Sequence, residues 1–313
     1  MVYTCFDRLR TALFISPNFK EDYTMKKLTS VIALVLCIAL CLCGVAFAQS
    51  ESATPNVDKI KADGVIIMLT NAAFPPFEYL ADELDENGNA KVIGVDADIA
   101  AEIAADLGVR LEIVDMDFDS IVLAVQQGKG DFGAAGMTVR PDREEMVNFT
   151  IKYVKSAQYV LINAANTEIT CAADLEGKAI GVQMGTTGDF YATDEIPGAT
   201  VVPYNDAVTA SLDLANGRID AVITDELPAK NIAASNDKLI VLDIVLTEEE
   251  YAIAVAKEKT DLVEAINATL TRLIEEGKIE TFINYHMGLE VAEEAAEAAV
   301  EGTDAAVETP AAN

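Results

Sequence analysis

The residues best equipped for chemistry in this chain would hold a small charged molecule and leave it intact. Arg143 lies within Gly133-Ala134-Ala135-Gly136-Met137-Thr138-Val139-Arg140-Pro141-Asp142-Arg143-Glu144-Glu145, where an apolar run ends in small residues, Thr138 adds a hydroxyl and Pro141 opens a short helix. A cation in the first turn of a helix faces the positive end of the dipole, so Arg143 calls for an anion. Glu144 or Glu145 would supply one in a solvated surface pair. A ligand carboxylate would supply one through the planar guanidinium fork. A second cluster, Met184-Gly185-Thr186-Thr187-Gly188-Asp189, sets two threonines between glycines at a strand-to-helix turn. Outward-pointing amides and hydroxyls there make either an anion seat or an ordinary capped turn. It is no P-loop, because the lysine after the last glycine is missing. Asp225 carries the opposite charge at the end of another strand-like run, as a helix cap or as a partner for an ammonium. Phe74 and Phe118 sit on loops beyond strands.

Composition removes several other classes of function. The chain holds 22 basic and 52 acidic residues, a net charge of −30, so nothing in it would replace the counterions on nucleic-acid phosphate or cling to anionic lipid. His286 is the only histidine and there is no tryptophan, which rules out histidine-rich metal sites and leaves a Ser-His-Asp arrangement dependent on a distant residue. The acids from Asp115 to Asp119 lack the glycine and distal glutamate of a calcium loop. No metal and no cofactor is expected. Cys5, Cys37, Cys41 and Cys43 fall before or within an apolar stretch from Val31 to Ala48, leaving Cys171 alone and no internal disulfide framework.

The elements that must position the candidates alternate between strand and helix. Residues 1–24 read as upstream sequence from an early start codon, and 25–48 as a secretory signal, with Met25-Lys26-Lys27, an apolar core and Ala46-Phe47-Ala48 before a mature start near Gln49. The apolar core is also near the lower length limit of a membrane span, so an uncleaved anchor is the alternative. Residues 49–60 read as a linker. A buried strand at 64–69 then gives way to Thr70-Asn71-Ala72-Ala73-Phe74-Pro75-Pro76-Phe77-Glu78, where two prolines end any ladder; Phe77 is expected in the core and Phe74 toward a ligand. Ile99, Ile103 and Leu107 mark a helix with Asp96 and Asp98 at its start as structural acids. Strand 110–114 leads to Phe118, with Ser120 as cap of a helix over 121–127. Two strand runs, 149–154 and 158–163, are joined by Lys155-Ser156-Ala157. Thr170 caps a short helix, and strands at 179–183, 199–204 and 218–224 alternate with a helix over 207–216. Strands at 239–246 and 251–256 and helices over 261–277 and 278–287 follow. The tail from Glu290 is alanine and acid and is expected to be loosely ordered.

Each candidate thus lies just past a strand's carboxyl end, the edge of an open parallel sheet where ligands bind. Two halves facing each other by such edges form a cleft with Arg143, Ala135, Gly136 and Thr138 on one wall and Thr187 and Asp225 on the other. One fixed cation and one fixed anion suit a zwitterion, and a free α-amino acid fits.

From Val65 to Met287 the chain resembles the family 3 extracellular solute-binding proteins, the polar amino-acid receptors of ABC importers. The resemblance is carried by Thr70 to Glu78, Gly94-Val95-Asp96-Ala97-Asp98, Gly136-Met137-Thr138 with Arg143, Gly181-Val182-Gln183-Met184-Gly185-Thr186-Thr187, and Gly217 to Asp225, in that order and spacing. It implies a type II periplasmic-binding-protein-like α/β fold of two lobes joined by two hinge crossings, near Lys155 to Gln158 and Glu248 to Tyr251. Residues 61–155 and 251–289 would form the first lobe, 156–250 the second, and 290–313 a tail. It also implies a monomeric receptor, not an enzyme, that closes on its ligand and hands it to permease subunits. By motif position Arg143 holds the ligand carboxylate with Thr138, Thr186 and Thr187, while Asp225 takes the ammonium. Asn71, Phe74, Phe118, Ala135, Gly136 and Gln183 complete the site. Many relatives carry aspartate where this chain has Asn71, and that acid helps hold a distant cation in receptors for basic amino acids. A neutral polar ligand such as glutamine or cystine is therefore expected. Gly188 replaces a longer side chain and is expected to leave room. An enzyme on the same scaffold, of the cyclohexadienyl dehydratase kind, and a sensory module are the alternatives.

Overall fold

The computed structural model describes residues 53–289 except 85–87 and 89. The expected upstream segment, signal and acidic tail lie outside the described residues. The segment expected to be linker is helical from Pro55: α1 (Pro55–Asp63) buries Val57 and Ile60. Its exposed amino end is capped from far along the chain, because the Asp261 carboxylate accepts the backbone N–H groups of Asn56 and Val57 at 2.9 and 3.0 Å. Two large apolar residues in nine are too weak a periodic signal to disclose this helix.

Two five-stranded sheets organise the rest. In the first, β1 (Val65–Thr70) lies parallel to both β5 (Arg110–Asp115) and β6 (Phe132–Gly133), and β13 (Ala254–Ala256) runs antiparallel between β6 and β7 (Val147–Phe149). In the second, β9 (Ala179–Gln183) lies parallel between β10 (Thr200–Tyr204) and β11 (Ala221–Asp225), and β8 (Val154–Asn163) is antiparallel to β11 and to β12 (Leu239–Tyr251). A small antiparallel sheet, β2 (Ala73–Phe74), β3 (Glu78–Leu84) and β4 (Ala90–Ile93), flanks the first. Near-continuous apolar runs such as Val65–Leu69 and Ala221–Ile223 are what a sheet covered on both faces requires.

Helices supply the cover. On the first sheet, α2 (Val95–Leu107) buries Ile99 and Ile103, while α3 (Phe118–Gln126) buries Ile121 and Val125. The short α4 (Pro141–Met146) follows β6, and α8 (Thr260–Glu275) with α9 (Lys278–His286) closes that half. His286, in α9, lies with Nε2 2.9 Å from Asp98 of α2 and Nδ1 3.1 Å from the Tyr79 hydroxyl, which pins the helix to the first half. On the second sheet, α5 (Thr187–Asp194), α6 (Ala207–Ala215) and α7 (Glu226–Ser235) do the same.

The halves are joined by two strands paired side by side. The runs expected on either side of Lys155-Ser156-Ala157 differ from the structure here, because β8 continues unbroken through all three. Their partners are Glu248, Glu249 and Glu250 of β12, in register with Ala157, Ser156 and Lys155. Alternating side chains along this ribbon point to opposite faces, so Thr247, Glu249 and Tyr251 share one side. The Thr170 cap also gives way to another arrangement: its hydroxyl and amide donate to Asp174 at 2.9 and 2.8 Å, ahead of a single 3₁₀ turn, Ala172–Leu175. The exposed thiol of Cys171 stands there, before the amino end of β9.

Candidate ligand-binding cleft

The sequence candidates converge on one cavity. Phe74, Phe118, Ala135, Gly136, Thr138 and Arg143 from the first half and Gln183, Thr186, Thr187 and Asp225 from the second line one narrow pocket. Asn71 stands behind that lining: its Oδ1 accepts the Gln183 Nε2–H at 2.9 Å across the two halves, and its own amide donates to the Met116 carbonyl. The geometry comes from strand ends. Asn71 follows β1, Phe118 follows β5, Ala135 and Gly136 follow β6, Thr186 follows β9, and Asp225 is the last residue of β11. Phe118 is not on a loop, as expected, but is the first residue of α3, with Asp117 and not Ser120 at the N-cap.

Arg143 is buried, 6% exposed, and its partners are carbonyls. Nη1 donates to Thr138 O at 2.8 Å and Nη2 reaches across to Gly185 O at 3.0 Å. The surface pair with Glu144 or Glu145 does not form, and no carboxylate comes within ion-pair distance of Arg143 among the described residues. Burial, then the nearby Arg140 charge, pulls its pKa down to about 10, so it stays charged at neutral pH. A desolvated cation without a counter-ion is costly until an anion arrives.

Asp225 is equally buried and stands at the N-cap position of α7, but its side chain makes no bond to that helix. Gln158 Nε2 donates to its Oδ2 at 2.8 Å, the Tyr251 hydroxyl donates to Oδ1, and the Ser156 hydroxyl lies 3.1 Å from Oδ1. Burial, then repulsion from Glu249, pushes its pKa up to about 7 against those donors. Glu249 lines the same cavity and takes hydroxyl bonds from Thr138 and, at 2.8 Å, from Thr247.

Ser156, Gln158, Glu249 and Tyr251 are site residues that motif reading missed. Their signal was the two-residue spacing of polar side chains along both crossing strands, Ser156 with Gln158 and Thr247 with Glu249 and Tyr251.

Two glycines shape the walls. Gly136 has φ +50°, and a Cβ there would lie 2.7 Å from the Phe74 ring, so the ring packs on bare backbone. Its amide is held from behind by Asp96 Oδ2 at 2.8 Å, while Tyr153 donates to the other oxygen at 2.7 Å. Asp96 is therefore structural, as expected. Gly188 leaves no room, contrary to expectation: a Cβ would sit 2.7 Å from Gln158 Oε1 and 3.1 Å from the Ile223 side chain. Two buried polar atoms around the cavity lack partners among the described residues, Thr187 Oγ1 and Gln158 Oε1. Such groups cost free energy unless something joins them.

Residues 66–288 match the bacterial extracellular solute-binding proteins, family 3. The chain belongs to this family. The curated relatives it matches are solute-binding receptors that act outside the cytoplasm, and this family 3 protein is exported. It is 30% identical over 212 residues to ABC transporter arginine-binding protein 1 of Escherichia coli (strain K12), covering 66% of this chain and 84% of that one. It is 26% identical over 237 residues to the L-cystine-binding protein TcyJ of the same organism, covering 75% and 87%. The arginine-bound form of truncated ArgBP from T. maritima is 40% identical, superposes with a TM-score of 0.64, and covers 69% of this chain and 99% of its own. The two-lobed type II architecture is shared. Among the described residues of this family 3 protein no helix is long and apolar enough to cross a membrane, and no cluster of possible metal ligands occurs.

Proposed function

We propose that this protein is a receptor that closes on a free α-amino acid outside the cytoplasm and delivers it to the membrane subunits of an ABC importer. The observation that carries the reading is the pair of buried, opposite charges from separate halves, Arg143 and Asp225, lining one narrow pocket. In this reading the Arg143 fork takes the carboxylate with Thr187 Oγ1, and Asp225 takes the ammonium. The amino acid's body lies between Phe74 and Phe118. Each half carries only part of the partners, so the full set exists only when both are together, and binding shifts the population toward closure.

For the side chain, the Asn71–Gln183 contact presents two neutral amides and no carboxylate, which suits a neutral polar group such as that of glutamine or one half of cystine. Arginine is the second reading. It is favoured by charge balance, because Asp225 and Glu249 outnumber Arg143 around the cavity, and by the arginine-binding relatives.

A thermal-shift screen of the twenty amino acids and cystine tests both readings, since a ligand that binds only the native state raises its melting temperature. A large shift with glutamine or cystine supports the first, and one with arginine the second. No shift with any of them overturns the receptor reading.

A further inference from the structure

Two carboxyl groups outside the cavity lining lie behind the first wall of the cleft. Gly94, at φ +131°, lets the start of α2 run against the backbone of Phe77 and Glu78: a Cβ there would sit 2.2 Å from the Phe77 carbonyl oxygen, to which the Asp96 amide donates at 2.9 Å. This close approach sets the Glu78 carboxyl within hydrogen-bond reach of the Asp96 carboxyl. Glu78 is fully buried, and no N–H or O–H group of the described residues reaches either of its oxygens. Asp96, also buried, takes the Gly136 amide on Oδ2 and the Tyr153 hydroxyl on Oδ1. Two ionised carboxylates offer each other only acceptors, so the contact holds only if one of them carries a proton. Asp115 of β5 and Asp225 of β11 also press negative charge on Glu78. Burial first, then the Asp96 charge, holds Glu78 well above the ordinary carboxyl range, whereas donors restrain Asp96.

We propose that Glu78 and Asp96 share one proton, with Glu78 as its donor, and that this carboxyl–carboxylate bond positions the cleft wall. Asp96 then has three donors from three separated segments of the chain. Gly136 is the stretch of wall on which the Phe74 ring packs. Tyr153 stands one residue before β8, and its amide donates at 3.0 Å to the Tyr251 carbonyl on the other crossing strand. One buried point thus braces the cavity lining and the root of both crossings. Glu78 is a positioning residue, since it acts on a ligand only through Asp96 and Gly136, and that link rests on the amino-acid receptor reading.

Infrared spectroscopy of the ligand-free wild type at pH 8.5, above the pH of about 7 at which Asp225 ionises, should show the C=O stretch of a protonated carboxylic acid. Labelling the glutamate carboxyls with heavy carbon should move that band, and Glu78→Gln should abolish it, because an amide now supplies the donor. The native wild type keeps a proton that its unfolded chain releases, so denaturant titrations from pH 5 to 8 should find its folding equilibrium falling more steeply than that of Glu78→Gln, by about tenfold per pH unit. Calorimetry at pH 8, with the amino acid that shifts the wild-type melting temperature most, should place Glu78→Gln within about threefold of wild type. Glu78→Met, which has no donor, should bind about tenfold more weakly, the worth of one hydrogen bond to a charged group. A wild type without the band, or a band that the labelled glutamate leaves unmoved, overturns the shared proton whether or not either variant folds. Wild-type affinity in Glu78→Met overturns the positioning role. A protein that no amino acid stabilises loses the receptor reading and the positioning role with it, while the band and the slopes still decide the shared proton.

Discussion

Arg143 rests on two carbonyl oxygens and no carboxylate, an arrangement that makes it costly to the empty protein and valuable to the occupied one. Replacing it with Met should therefore separate two properties. Ligand affinity should fall by about 2 to 5 kcal/mol, the loss of a desolvated charged partner, while the ligand-free melting temperature holds or rises because an uncompensated charge is gone. Calorimetry and a thermal melt on the same sample check both, and a variant that binds normally would remove Arg143 from the site. Gly136 makes a geometric prediction. Gly136→Ala drives a methyl to within 2.7 Å of Phe74 from a positive-φ backbone, so it should lower both stability and affinity by about 1 to 3 kcal/mol. Denaturant titration measures the first and calorimetry the second.

At the scale of elements, two helix starts meet across the cleft. Arg140, at the entrance to α4, stacks its guanidinium 3.9 Å from the centre of the Phe190 ring in α5, while its Nη2 and Nε stay bonded to Asp142. This clasp joins the halves with Phe190 44% exposed and the Arg140 side chain only 15% exposed. Phe190→Ala should cost about 1 kcal/mol, the strength of a partly exposed cation–π contact. That is roughly fivefold in affinity, and small-angle scattering should show a more open ligand-free protein; unchanged affinity and scattering would deny the clasp any part in closure. The same scale explains what the sequence disclosed. Strand ends, turn glycines and the Arg143 and Asp225 positions were legible because parallel strands write their boundaries locally, as apolar runs stopped by small or polar residues. Glu249 and Gln158 were visible only as alternating polar residues. Which face of the ribbon meets the cavity depends on the pairing of Thr247 with Gln158 and Glu249 with Ser156, contacts between segments far apart in the chain. Helix α1 escaped notice for a related reason, since its cap, Asp261, comes from the other end of the fold.

The molecule as a whole carries a net charge of −30, and its most deeply buried acids add to the strain of keeping them ionised. Asp96 is pushed up to about 6 and Asp225 to about 7, burial being the larger cause in each, and fully buried Glu78 rises well above the ordinary range for the same reason. Folded pKa values above unfolded ones mean that the native chain binds protons the unfolded chain releases. That stabilisation is complete below about pH 4, the unfolded pKa, and is lost as pH rises through 6 and 7. Acids whose pKa is lowered, such as Glu102 and Asp106 beside Arg272, act in the opposite sense below about pH 4. The ligand-free protein should therefore be most stable near pH 4 to 5 and melt earlier at pH 8. Ligand affinity should run the other way, rising as Asp225 ionises. Melting curves and calorimetry across pH 5 to 8 check the opposed slopes, and parallel slopes would contradict them. One surface feature bears on how such measurements are made. The Cys171 thiol is exposed at the amino edge of the second sheet, whereas Thr186 and Asp225 stand at its carboxyl edge. In a chain beginning at Gln49 it is the sole cysteine, so a maleimide tether would fix every copy to a sensor chip in one orientation, its mouth turned toward the flow.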